Sequence, residues 1–250
     1  MEHVHIEHDG RVAVFRLNRP PANAIDLEFA VEIEAAFTRL MDSDAGAVVM
    51  TGSGGFFSAG LDLKHVPYYG RDEQRAMVTT INRMIARLYA CPRPVVGAIN
   101  GHAIAGGLIV ALACDYRVGS AAPCKLGVTE ARAGIPFPAA AMAVLQAELA
   151  PNVARILTLR ANNVSPETAL AYGLVDELQP SARVVPAAIE VARDLAGIPP
   201  DAYARIKRQL RGATIARIDD IIANGSDPLL ESWLTAEAPA ASAALLRRDG

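Results

Sequence analysis

The order of hydrophobic and polar residues predicts several strands in the first half of the chain. Apolar and polar positions alternate over 11–17, which is typical of a strand. Continuous apolar runs at 47–51 and 94–99 predict buried strands of the parallel type. A short pattern at 115–118 predicts one more strand. Because helical patterns separate these runs, we expect an α/β core with parallel pairing.

The helices between these strands are predicted from apolar positions that recur every three to four residues. Asp26 is expected to be the N-cap of a helix that ends near Met41. The residues expected on its inward face are Val31, Ile33, Phe37 and Leu40. A long amphipathic helix is expected over 71–90, and an apolar helix near 105–113.

The second half of the chain is predicted to be mainly helical. Ser165 followed by Pro166 is a helix-start signal, with the serine as N-cap and the proline at the first helical position. From about residue 181 onward the pattern is helical throughout. We therefore expect an α/β core over 1–190 and a helical region over 191–250 that binds a partner subunit or forms a lid.

Composition limits the classes of function. The chain has 250 residues, of which 52% are hydrophobic and 20% charged, so it can bury a substantial core. A net charge of −3 argues against a nucleic-acid partner. We expect no metal site, because the spacing of the three cysteines matches no metal motif. Since no signal-peptide or membrane-spanning pattern is visible, we expect a cytoplasmic protein without membrane contact.

Two glycine-containing segments are candidates for ligand binding. Segment 56–63 follows a buried strand, where loops of α/β proteins expose backbone N–H groups to ligands. Segment 94–108 reads as strand, turn and helix start, and the small residues 105–107 permit close approach to the backbone. The free N–H groups of a helix start suit a developing oxyanion. A tight turn in the first segment and glycine packing in the second are the plain alternatives.

Taken together, these segments resemble the two signature regions of the crotonase (enoyl-CoA hydratase/isomerase) superfamily. Further matching motifs follow in the expected order at 111–118, 127–130, 134–136, 165–169 and 173–176. The resemblance covers residues 10 to about 180. It implies a crotonase-like spiral of β-β-α units with a helical C-terminal region, in which the core carries an acyl-CoA site and the C-terminal region serves in trimerisation.

The resemblance also implies a chemistry and a site. The substrate would be an acyl-CoA thioester, and no separate cofactor is expected because coenzyme A is part of the substrate. The N–H groups of Leu61 and Gly106 would form an oxyanion hole, and Glu130 would be the catalytic base. A homotrimer, or a hexamer built from two trimers, is expected. The positions that match substrate and CoA contacts are Pro21, Ala22, Ala24, Ala59, Gly60, Asp62, Leu63, Gly107 and Ile109.

One departure from the family pattern distinguishes between reactions. Hydratases of the family carry two glutamates, and Ile109 stands at the place of one of them. Hydration divides its proton transfers between two carboxylates, whereas shifting a double bond needs a single base. The pattern is similar to that of mitochondrial-type Δ3,Δ2-enoyl-CoA isomerases, which favours isomerisation. An enoyl-CoA hydratase or hydratase-like lyase, and a non-catalytic acyl-CoA-binding protein, are the alternatives.

The surroundings of Glu130 bear on its role as a base. Apolar neighbours at Ile109, Ile135 and Phe137 would raise its pKa towards a useful range. A solvated carboxylate, or one paired with Arg132, is the plain alternative.

Several other polar residues admit two interpretations. Lys207, Arg208 and Arg211 could meet CoA phosphates or form a solvated basic face. His102 could contact substrate, although a packed or hydrogen-bonded histidine is the plainer interpretation. Trp233 is expected to pack the C-terminal region against the core.

Overall fold

The computed structural model describes residues 3–249. Its strands are β1 (Val4–Asp9), β2 (Val12–Leu17), β3 (Ala47–Gly52), β4 (Phe56–Ser58), β5 (Val95–Ile99), β6 (His102–Ile104), β7 (Tyr116–Ser120), β8 (Leu126–Gly127) and β9 (Glu177–Gln179). Its helices are α1 (Leu27–Met41), α2 (Arg71–Tyr89), α3 (Gly106–Leu112), α4 (Glu130–Ala133), α5 (Ala139–Glu148), α6 (Pro151–Arg160), α7 (Pro166–Ala171), α8 (Val184–Leu195), α9 (Pro200–Asn224) and α10 (Ala238–Asp249). Short 3-10 turns lie at Val66–Tyr68 and Ser181–Arg183.

A six-stranded sheet with the order β1-β2-β3-β5-β7-β9 forms the centre of the fold. Strands β1 and β2 are antiparallel, and every later pairing in this sheet is parallel. Strands β3 and β5 are buried along their whole length, because helices α1 and α2 cover one side of the sheet and α8 the other. The continuous apolar runs therefore predicted both the position and the parallel pairing of these two strands.

A second sheet, of three very short parallel strands in the order β4-β6-β8, lies beside the first. Strand β4 directly follows β3, β6 follows β5, and β8 follows β7, so each turn of the chain gives one strand to each sheet. The expected spiral of β-β-α units is thereby confirmed. Since strands of one sheet share a direction, the loops that follow them meet at one edge, where the candidate site lies.

Helix α1 shows where the hydrophobic pattern was sufficient and where it misled. The Asp26 carboxylate accepts a hydrogen bond from the Phe29 N–H at 2.9 Å, which confirms the predicted cap. The prediction that Val31 faces inward is wrong, because this side chain is 47% exposed. Phe29 and Ile33 occupy the inner face, and Val31 lies about 200° around the helix from Phe29.

The helical C-terminal region begins with α8, which packs on β3, β5 and β7 and continues across the predicted boundary after residue 190. Helix α9 then packs against α2 and α5, and α10 packs against α4. Among the residues that the structure describes, no helix is both long enough and apolar enough to cross a membrane.

Buried ion pairs attach α9 to the core. The Lys207 ammonium donates to Asp115 at 2.7 Å, and the Arg211 guanidinium lies 3.0 Å from Asp115 and 3.2 Å from Glu148. Both cations are buried. The expectation that Lys207 and Arg211 meet CoA phosphates or form a solvated face is therefore wrong, whereas Arg208 is exposed.

Candidate active site

An apolar pocket lies where the loops after the strands meet α2 and α5. It brings together four residues that the sequence had assigned to catalysis or to substrate contact, namely Leu61, Gly106, Ile109 and Glu130. Its remaining walls are formed by Ile25, Ile81, Met84, Ile85, Ile135, Pro136, Phe137, Pro138 and Ala141. Because segments far apart in the chain converge here, the pocket depends on the whole spiral rather than on one motif.

Glu130, the first residue of α4, places a buried carboxyl group at this pocket. The residue is 7% exposed, and its Oε2 atom has no hydrogen-bond partner. Burial raises the pKa of Glu130 to about 8, although hydrogen bonds from its own N–H and that of Thr129 act in the opposite direction. Arg132 donates instead to the Ala161 carbonyl at 2.6 Å, so the solvated or Arg132-paired alternative is wrong.

The apolar walls account for this raised pKa. Ile109 lies about one helical turn after Gly106 in α3 and is 1% exposed. It lines the pocket together with Ile135 and Phe137, as expected from the sequence. These side chains offer no hydrogen bonds to a carboxylate, so the ionised form of Glu130 loses the solvation that water would give.

The two glycine-containing segments lie against each other. Gly60 has a φ of +77°, and a Cβ atom at this position would lie 2.7 Å from the Gly106 nitrogen. A Cβ on Gly107 would lie 2.2 Å from the Ser58 carbonyl oxygen. Both glycines are thus required by the close approach of the segments. Gly107 packs on Ser58 and does not line the pocket.

Backbone geometry leaves the N–H groups of Leu61 and Gly106 outside the regular hydrogen-bonding pattern. Leu61 forms an isolated parallel bridge with Ile25. In this bridge the Ile25 N–H donates to the Gly60 carbonyl and the Asp62 N–H donates to the Ile25 carbonyl, so the Leu61 N–H takes no part. Gly106 is the first residue of α3, so its N–H has no intrahelical acceptor. Ala105 before it has a φ of +54°, a strained conformation for alanine. Two such N–H groups beside a buried carboxyl group can bind an oxyanion.

The other expected contact positions lie on two adjoining loops, outside the pocket walls. The loop that carries Pro21, Ala22 and Ala24 runs beside the segment from 59 to 63. The Ala59 N–H donates to the Ala22 carbonyl at 2.9 Å. Pro21 is exposed. These two loops adjoin the pocket wall at Ile25 and Leu61, and they carry Pro21, Ala22, Ala24, Ala59, Gly60, Asp62 and Leu63.

Asn23 holds these two loops together, and sequence reasoning missed it. Its side chain is buried, and its amide nitrogen lies 3.0–3.2 Å from the carbonyl oxygens of Ser53, Phe56 and Phe57. The Ser58 hydroxyl in turn donates to the Asn23 carbonyl at 2.8 Å. Asn23 also has a positive φ of 50°, which asparagine tolerates better than most residues. A lone asparagine between alanines gives no sequence signal for this role.

Asp62 is held by an ion pair. Its carboxylate accepts from Arg19 and from His65 Nδ1, both at 3.0 Å. Burial alone would raise the pKa of Asp62, but these bonds and one from the Lys64 N–H lower it below its ordinary value. Asp26, Asp62 and His65 place oxygen and nitrogen atoms within 4.8 Å of one another, a spacing that could hold a metal ion. The Arg19 guanidinium, however, already donates to both carboxylates. The cluster is therefore a structural ion pair that supports the Leu61 loop.

Two further expectations are confirmed. His102 is hydrogen-bonded, because its Nδ1 accepts the Lys125 N–H at 2.9 Å, and its ring lies 4.7 Å from that of Phe56. Trp233 is 1% exposed and donates its indole N–H to the Pro136 carbonyl at 2.8 Å.

Comparison with known proteins identifies the family of the chain. The family model for enoyl-CoA hydratase/isomerase matches residues 7–223. A probable enoyl-CoA hydratase of Mycobacterium tuberculosis is 34% identical over 80% of this chain and 76% of its own length. The human mitochondrial enoyl-CoA delta isomerase 1 is 30% identical over 83% of this chain and 70% of its own length. The crystal structure of a human mitochondrial Δ3,Δ2-enoyl-CoA isomerase superimposes with a TM-score of 0.85 at 29% identity, covering 98% of this chain and 97% of that one. The chain therefore belongs to the enoyl-CoA hydratase/isomerase family.

Proposed function

We propose that this protein is a Δ3,Δ2-enoyl-CoA isomerase that uses Glu130 as its single base. One observation carries the proposal. Among the described residues that line the pocket, Glu130 is the one with an ionisable side chain, and Ile109 stands where a second carboxylate would be needed for hydration.

The reaction follows from the positions of these groups. The thioester oxygen of a 3-enoyl-CoA accepts hydrogen bonds from the N–H groups of Leu61 and Gly106. The Glu130 carboxylate removes a proton from C2, and the electron pair moves through the carbonyl onto the oxygen. The carboxyl group of Glu130 then returns the proton at C4, so the double bond moves from C3–C4 to C2–C3 and the base is regenerated.

The electrostatics of the pocket support this assignment. A pKa of about 8 makes Glu130 a stronger base towards carbon than an ordinary carboxylate. Two fixed N–H donors stabilise the enolate oxygen without reorganisation, and a single donor of this kind contributes about 10²–10³ in rate elsewhere. The apolar walls keep water from the intermediate, and water is the reactant that a hydratase has to hold.

The relatives bear names of both activities, so hydration is the second candidate. The M. tuberculosis relative is named as a probable hydratase, whereas the human relative is named as an isomerase. A non-catalytic acyl-CoA-binding protein would need no base, and the buried carboxyl group of Glu130 would then cost stability without a return in function. The pocket therefore supports an enzyme over a binding protein.

The test separates the three functions. The purified protein is incubated with a 3-enoyl-CoA and, separately, with a 2-enoyl-CoA, and the conjugated enoyl thioester is followed by its absorbance. Formation from the 3-enoyl substrate without loss of the 2-enoyl one is the expected result. Loss of the 2-enoyl substrate to a hydroxyacyl product would identify a hydratase, and binding without turnover of either would identify a binding protein.

We also propose a homotrimer or a hexamer in the cytoplasm. Ile206 and Leu210, one turn apart on α9, are 63% and 83% exposed, which is a reason to expect that another subunit covers them. Cys91 and Cys114 are buried free thiols, as expected in a reducing compartment. Light scattering after size exclusion measures the assembly, and a monomeric mass would contradict it.

A further inference from the structure

The pocket lies between two walls from different parts of the chain. Helix α2 supplies Ile81, Met84 and Ile85, and the facing wall runs from Ile135 to Ala141 at the start of α5. Under the proposed function the acyl chain enters between these walls, so their separation determines how much of it fits. Apolar contacts adapt to a shift of this kind, whereas directional hydrogen bonds fix it.

A buried polar link joins the two walls directly. The Asp227 Oδ2 atom accepts from the Asn82 side chain at 2.7 Å and from the Ala139 N–H at 2.8 Å. The Asn82 oxygen accepts the Ala140 N–H at 3.0 Å. Asn82 and Asp227 are each 4% exposed. Asn82 follows Ile81 on α2, and Ala139 follows Pro138, so the link joins residues that are next in the chain to the pocket lining.

Asp227 also supplies the cap that α5 lacks. Pro138 at the N-cap position of α5 makes no side-chain cap bond, and the Asp227 carboxylate takes that place from the segment after α9. A carboxylate at a helix N-terminus is stabilised by the free N–H groups and by the helix dipole. Removal of the carboxylate would leave buried donors on both walls without acceptors, which is costly enough to move them.

Other side chains of the C-terminal region form hydrogen bonds to the same wall and to the residues just before it. Trp233 donates to the Pro136 carbonyl at 2.8 Å, and the Thr235 hydroxyl donates to the Gly134 carbonyl at 3.2 Å. The Ser242 hydroxyl donates to the Ala133 carbonyl at 3.2 Å, at the end of the turn that begins with Glu130. Side chains of the C-terminal region therefore bond to the backbone from residue 133, just before the wall, to residue 139 within it.

We propose that Asp227 is a specificity-determining residue that limits the length of acyl chain by holding the start of α5 against α2. This inference rests on the proposed acyl-CoA function, and Asp227 acts through the walls rather than by touching substrate. Loss of its carboxylate lets the walls separate, so long acyl chains gain relative to short ones.

The test measures binding, so that it does not depend on isomerase turnover. Calorimetry gives the affinities of saturated hexanoyl-CoA and dodecanoyl-CoA for the wild-type protein, for Asp227→Ala and for Asn82→Ala. In both variants we expect the ratio of dodecanoyl to hexanoyl affinity to rise about fivefold, as the loss of one or two net hydrogen bonds allows. Asp227→Asn keeps the size of the side chain and one acceptor oxygen for Asn82 and Ala139, and it loses only the bond from the Leu229 N–H to the other oxygen. It should therefore restore most of the wild-type ratio.

Asn224→Ala is the matched control. Asn224 lies three residues before Asp227, and the substitution removes only the exposed hydrogen bond from its side chain to Asp220. It should leave the ratio unchanged. Equal losses for both thioesters, or an unchanged ratio in Asp227→Ala and Asn82→Ala, would overturn the proposal. If Asp227→Ala does not fold, the affinity ratio is compared between Asn82→Ala, in which it should rise, and Asp227→Asn, in which it should stay near the wild-type value. A wild-type protein that binds neither thioester would overturn the acyl-CoA function itself, and a wild-type protein that binds them without turnover would overturn only the isomerase.

Discussion

A Cβ atom on Gly60 would lie 2.7 Å from the backbone nitrogen of Gly106, so the two proposed oxyanion donors depend on one glycine–glycine contact. The Gly60→Ala variant must separate the two segments or turn the Gly106 N–H. We expect it to lower kcat by about 10²–10³, the loss seen when one oxyanion donor is removed elsewhere. Steady-state kinetics with a 3-enoyl-CoA measures it.

Gly54→Ala is the control for this variant. Gly54 also has a positive φ, of 67°, but a Cβ there meets nothing within 4 Å. Backbone strain is thus common to both variants, and only Gly60→Ala disturbs the contact with Gly106. Equal kinetic losses in the two variants would contradict the oxyanion role.

Replacement of the base should separate chemistry from binding. Glu130→Gln keeps the shape of the side chain and removes the proton acceptor, so we expect a loss of at least about 10² in kcat. The affinity for a saturated acyl-CoA should change little, since the proposed donors are backbone groups. Isomerase assays and calorimetry measure the two quantities, and retained turnover would exclude Glu130 as the base.

The rate should depend on pH through this one carboxyl group. A base must be deprotonated, and burial raises the pKa of Glu130 to about 8. We therefore expect kcat/KM to rise about tenfold per pH unit below about pH 8 and to level off above it. A profile that is already flat near pH 6 would show that Glu130 has an ordinary pKa or another role.

The same shift predicts how stability depends on pH. The folded protein holds the Glu130 proton more tightly than the unfolded chain, because its pKa is raised from 4.5 to about 8. This contribution to stability is complete below about pH 4.5 and is lost as the pH rises through 8. In Glu130→Gln we expect the free energy of unfolding, relative to wild type, to increase by about 1.4 kcal/mol per pH unit across that range. Urea unfolding at several pH values measures it, and a constant difference would contradict the shift.

The cations of α9 should matter for stability rather than for CoA binding. Lys207→Met leaves the buried Asp115 carboxylate with one cation fewer, and removal of a partner from a buried pair costs about 3 kcal/mol. We expect Tm to fall by about 6–12 °C while acyl-CoA affinity stays unchanged. Arg208→Ala, one residue along and exposed, should alter neither quantity. A selective loss of CoA affinity in Lys207→Met would restore the phosphate-binding interpretation.

Sequence patterns predicted the elements that are long and regular. The runs at β3 and β5 and the spacing in α2 repeat often enough to show which faces are buried, and in α1 the pattern placed Ile33, Phe37 and Leu40 correctly but not Val31. The sheet formed by β4, β6 and β8 was missed, because strands of two or three residues contain no full period. Its existence followed only from the family resemblance.

The same distinction holds for the site. Glu130, Leu61, Gly106 and Ile109 were found because they stand in motifs, and the structure brings them to one pocket. Asp227 and Asn82 are 145 residues apart, and each is an ordinary polar residue in its own segment. Only the folded chain shows that their side chains meet. Local patterns therefore identified residues that line the pocket, including the proposed base, whereas the residues that hold the pocket together required the tertiary structure.

The attachment of α9 has a consequence for how substrate enters. A hinged movement of this helix would have to unpair Lys207 and Arg211 from buried carboxylates, at a cost of several kcal/mol. Gly225 ends α9 with a φ of 56°, and a Cβ atom at this position would meet nothing within 4 Å. Entry of substrate is therefore expected to leave α9 in place against the core, and a movement of the chain after residue 225 would have to break the bonds of Asp227 and Trp233 to the pocket wall as well.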